Sequence, residues 1–89
     1  MNFDQIAEKV RMYLEKSDIS VKDNYWFRFE KDEFIDMTMS CDKYEIVEYA
    51  KRILTNIVKE GTKDRPWNRL AIYARWLAIY DIYKSVLAD

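Results

Sequence analysis

No histidine occurs in this chain of 89 residues, and glycine, proline and cysteine occur once each. Scarce glycine removes the phosphate-cradling P-loop and the dinucleotide-binding fingerprint, since both need several residues without a Cβ. Absent histidine removes every triad with an imidazole base and every histidine-ligated metal site. The single cysteine, Cys41, makes neither an internal disulfide nor a thiolate zinc site, a usage that fits a reducing compartment. A dominant charge is lacking too: 15 lysines and arginines against 16 aspartates and glutamates leave −1, which implies no global attraction to nucleic acid. The most apolar stretch, residues 70–83, is broken by Arg75 and Asp81 and falls short of the roughly 20 residues a membrane span requires. Asp4 and Glu8 stand where an export signal would need an apolar run. The expectation is a soluble, cytoplasmic protein that uses no membrane, metal or cofactor.

What is present is apolar and aromatic: 49% of the residues are hydrophobic and 16% are Phe, Trp or Tyr, enough for one modest core. Residues 1–89 are read as a single domain. Phe3, Ile6, Ala7, Val10 and Leu14 recur on one face of a helix over about residues 3–16, with Asn2 as its cap and Gln5 placed to return the hydrogen bond. Residues 17–24 are rich in Ser, Asp and Asn and read as a connection.

From Tyr25 the apolar period changes to two. Tyr25, Phe27 and Phe29 alternate with Trp26, Arg28 and Glu30, and Ile35, Met37 and Met39 alternate with Phe34, Asp36 and Thr38. This alternation predicts a β-hairpin. A three-residue loop, Lys31 to Glu33, keeps Phe29 opposite Ile35 and Phe27 opposite Met37, and it places Arg28 opposite Asp36 on the outer face. Its weak point is Glu33, in a left-handed position usually given to Gly or Asn.

Asp42 with Glu45 forms a capping pair, and Cys41 with Ile46 a hydrophobic staple, so a second helix should begin there and bury Cys41. Its buried stripe is expected to be Ile46, Ala50, Ile53, Leu54, Ile57 and Val58, with Glu48 supporting Arg52 and Gly61 ending the helix. Pro66 then opens a third helix reaching about Leu87. The predicted fold is α+β, in the order α-β-β-α-α, with a two-stranded antiparallel hairpin packed against three helices.

Few residues carry chemistry. Cys41 precedes a helix start but has no base to activate it, and the carboxylates Glu30, Asp32, Glu33 and Asp36 lie round a turn without a glycine to wrap it about an ion. Residues 29–48 hold seven acids against two lysines, net −5, which would suit a basic partner. The third predicted helix carries two apolar seams where a surface helix needs one: Leu70, Tyr73, Leu77 and Tyr80, and Ile72, Trp76, Ile79, Tyr83 and Val86. The second seam belongs either to a central helix or to an interface.

The function expected is a non-enzymatic protein–protein interaction module, a small regulator or inhibitor that forms a homodimer through Ile72, Trp76, Ile79, Tyr83 and Val86. Trp26 and Phe34, paired aromatics on the outer hairpin face, are further partner-binding candidates. The alternative is a nucleic-acid-binding accessory protein using Lys63, Arg65, Arg69 and Arg75 with the aromatics among them. The Ile/Lys/Tyr-rich composition would suit an AT-rich bacterium or its phage.

Overall fold

The computed structural model describes residues 2–16, 25–60 and 68–88, with the side chains of residues 26, 60 and 68–70 outside that description. Among the described residues four helices follow one another: α1 (Phe3–Lys16), α2 (Tyr25–Met37), α3 (Lys43–Glu60) and α4 (Asn68–Ala88). Among the described residues there is no strand.

The α+β hairpin fold is therefore overturned at α2. Residues 25–37 alternate apolar and polar, yet they also carry a helical stripe in which Phe27, Phe34 and Thr38 stand at i, i+7 and i+11. The two remaining positions of that stripe, Glu30 and Lys31, are charged and half-buried, which hides the helical period from a hydrophobic pattern. Both charges are matched from α4. Arg75 Nε lies 3.3 Å from Glu30 Oε2, and Lys31 Nζ lies 2.5 Å from Asp81 Oδ2. Lys31 to Glu33, the expected loop, holds two good helix formers, Lys31 and Glu33, and offers no Gly or Asn for the left-handed position a hairpin needs, so the backbone continues through it. Arg28 and Asp36 then lie two turns apart on one helix rather than opposite each other across a hairpin.

The helix starts are set by side chains. Asn2 Oδ1 accepts from the Gln5 backbone N–H at 2.9 Å and the Asn2 N–H donates to Gln5 Oε1 at 3.2 Å, a reciprocal cap on α1. Asp42 Oδ1 accepts from the Glu45 N–H at 2.8 Å and caps α3. Between α2 and α3 the buried Thr38 hydroxyl donates to the Phe34 carbonyl at 2.8 Å, and the Cys41 N–H donates to Thr38 O at 3.0 Å, which turns the chain at the end of α2. Cys41 is half-buried rather than enclosed.

α4 is the hub. Each of α1, α2 and α3 packs on it more than on the others. Trp76 to Tyr80 are five consecutive buried residues, more than a full turn, so the helix is enclosed on every side. α1 contributes Ala7, Val10 and Leu14 to the core, and α3 contributes Ala50 and Leu54, with Ile46, Ile53 and Ile57 half-buried beside them. Val58, expected in that stripe, is exposed, and Glu48 pairs at 3.5 Å with Lys51 rather than with Arg52. Gly61 and Pro66 lie outside the described residues, as does the connection at 17–24.

An aromatic row on α4 receives α1. Phe3 meets Trp76 and Tyr83 edge-on at 6.3 and 5.6 Å, and Tyr13 meets Tyr73 edge-on at 4.8 Å. Trp76 stacks on Tyr80 at 5.3 Å and donates its indole N–H to the Leu54 carbonyl of α3 at 3.2 Å, so one side chain touches both layers. The Tyr80 hydroxyl donates to Asp4 Oδ1 at 2.5 Å, with Lys84 Nζ 3.4 Å from the same oxygen.

Candidate protein-binding face

The seam expected to bind a partner lies mostly inside the fold. Trp76 and Ile79 are 1% and 2% exposed, held in the core of the same chain, while Ile72, Tyr83 and Val86 are half-buried. α4 is thus the central helix of the two readings its double seam allowed. Phe34 is also internal, its ring against Tyr49 of α3 at 5.6 Å. The Trp26 side chain lies outside the described residues.

Nor does the basic set assemble into one surface among the described residues. Lys63, Arg65 and the side chain of Arg69 lie outside them, and Arg75 is engaged with Glu30. The four carboxylates once placed at a hairpin tip are separated: Glu30 turns inward to Arg75, while Asp32, Glu33 and Asp36 are exposed on the other side of α2. Glu48, Lys51, Arg52, Thr55 and Asn56 line a shallow depression on α3, but all five are exposed residues of one helix.

The feature that stands out is the outer side of α2. Its inner stripe is anchored by Phe27, Phe34 and Thr38, which fixes the opposite stripe toward solvent. On that stripe Tyr25 and Phe29, one turn apart, are 63% and 44% exposed and stack on each other at 5.8 Å with their planes 20° apart. Ile35 and Met37 on α2 are exposed as well, as are Met39 in the following turn and Tyr44 at the start of α3. Scattered exposed apolar residues are ordinary, but two large rings exposed and stacked on one stripe, with Ile35 and Met37 on its two flanks, are not.

Sequence reasoning placed Tyr25, Phe29, Met37 and Met39 on the buried hairpin face, so a strand period put the candidate face indoors. The signal that could have found it was the spacing Tyr25, Phe29, Asp32 and Asp36 at i, i+4, i+7 and i+11.

No family model matches the chain, and no curated protein or solved structure does. Its function is therefore read from its own side chains. Among the described residues no three His, Cys, Asp or Glu side chains converge to hold a metal ion, and no helix is long and apolar enough to cross a membrane.

Proposed function

We propose that the chain is a non-enzymatic protein-binding module, a small regulator or inhibitor that meets its partner through the outer face of α2 and the turn after it. The observation that carries this is the exposed, stacked Tyr25–Phe29 pair on the outer stripe of α2, with exposed Ile35 and Met37 on its flanks. Aromatic residues and methionine are the types enriched where proteins meet: the rings offer large areas that order at little entropic cost, and methionine adapts its shape to what it touches. Self-association through the α4 seam would require Trp76 and Ile79 to leave the core, so the face on α2 is the better candidate for a partner of any kind.

The test is affinity capture from cells that express the protein, using the native chain, Phe29→Glu on the face and Val58→Glu on exposed α3 as control, each checked for helicity. The expected result is one partner held by the native chain and Val58→Glu and lost by Phe29→Glu. A partner retained by all three, or none held by the native chain, overturns the proposal.

A further inference from the structure

Resting on that reading, we propose that the partner presents a basic, arginine-bearing segment to the stripe formed by Tyr25, Phe29, Asp32 and Asp36. At 100° per residue these four positions fall within about 60° of one another, a single line about 16 Å long at 1.5 Å per residue. Two stacked rings occupy its first turn and two carboxylates the next two, with Glu33 flanking them.

The charge on this line is not neutralised from within. Asp32, Glu33 and Asp36 make no ion pair among the described residues, and Arg28, one turn before Asp32, makes none either. The acids that face inward are treated differently: Glu30 has Arg75 and Asp81 has Lys31. On the outer side of α2 the exposed acids Asp32, Glu33 and Asp36 stand against the one exposed cation Arg28, net −2 beside exposed rings, and a cationic partner is what complements it.

Ring and carboxylate together select arginine over lysine. A guanidinium is planar, weakly hydrated and able to stack on an aromatic face while its N–H groups grip a carboxylate in pairs. An ammonium would pair with the acid but gain less from the ring. A partner helix with arginines three or four positions apart would meet the stripe along its length.

The test uses a fluorescein-labelled 14-residue helical peptide with four arginines on one face, and counterparts carrying four lysines or four glutamates. The arginine peptide should bind at least threefold more tightly than the lysine peptide, with backbone amide shifts gathered on α2. Affinity should fall at least tenfold in the Asp32→Asn/Asp36→Asn double variant and also in Phe29→Ala, and hold in the α1 control Glu8→Gln/Glu15→Gln. Binding that survives the double variant, equal binding of the glutamate peptide, or no binding at millimolar peptide overturns the inference. If captured partner is lost by Phe29→Glu yet kept by Asp32→Asn/Asp36→Asn, the docking face stands and the basic partner falls. A concentration-dependent dimer that Phe29→Glu dissociates would put a second copy in its place and overturn it too.

Discussion

Lys31 of α2 and Asp81 of α4, fifty positions apart in the chain, close an ion pair at 2.5 Å, with the Lys31 ammonium 5.5 Å from the centre of the Phe27 ring. One position earlier, Glu30 pairs with Arg75 in the opposite sense. The cation comes from α2 in one pair and from α4 in the other, so the two together oppose any docking that would exchange their partners for like charges.

Both ends of the Lys31–Asp81 pair are a third to a half exposed, so its coupling should be modest. A double-mutant cycle with Lys31→Ala and Asp81→Ala should return about 0.2–1 kcal/mol. Urea unfolding at low and at 0.5 M salt checks it, because the coupling must shrink as salt rises. Lys31→Glu alone should destabilise more than Lys31→Ala, since it sets a carboxylate against Asp81.

Ile79→Glu should unfold the chain rather than split an assembly. Trp76→Ala should lose about 3–5 kcal/mol from a domain whose whole stability is on the order of 5–15 kcal/mol, since it removes a buried ring together with its hydrogen bond to Leu54. Circular dichroism and light scattering run together decide it: a helical Ile79→Glu monomer derived from a native dimer would place the seam at an interface.

Burial first, and then its hydrogen bond to Asp4, push the Tyr80 phenol from 10.0 up to about 12. The folded state therefore holds that proton more tightly than the unfolded chain does. The stabilisation is whole below pH 10.0 and disappears as the pH climbs through about 12. Thermal melts from pH 9 to 12 should show a fall in Tm that is smaller in Tyr80→Phe. The Tyr80 hydroxyl holds the Asp4 carboxyl below its usual 3.8, so the same contact contributes above that pH and weakens in acid.

The cap on α3 gives the last expectation. Asp42→Ala should cost about 1 kcal/mol and Asp42→Asn only a fraction of it, because asparagine also accepts the Glu45 N–H. Urea midpoints of the two variants check the order.

α1 and α3 were legible because their apolar residues repeat at helical spacing and their first turns carry capping side chains. α4 was legible as a helix, and its double seam already offered the central position it takes. α2 was not, for a physical reason: Glu30 and Lys31 occupy its inner face, and their compatibility with burial depends on Arg75 and Asp81, which only the folded chain brings near. With the inner face misread, Tyr25 and Phe29 went to the wrong side. The absence of Gly or Asn from Lys31 to Glu33, where the hairpin loop needs a left-handed residue, was the local sign that the backbone runs on as helix.

Because α4 comes last of the four helices and the other three lean on it, the order of synthesis and the order of packing run against each other. Chains emerge N-terminus first at about 5–20 residues per second, so α1, α2 and α3 leave the ribosome with their apolar stripes uncovered and only one another to cover them. Short helices of this length are marginal alone in water. Packing of α1, α2 and α3 should therefore wait for residues 68–88, which leaves their apolar stripes open to chaperones until α4 is free.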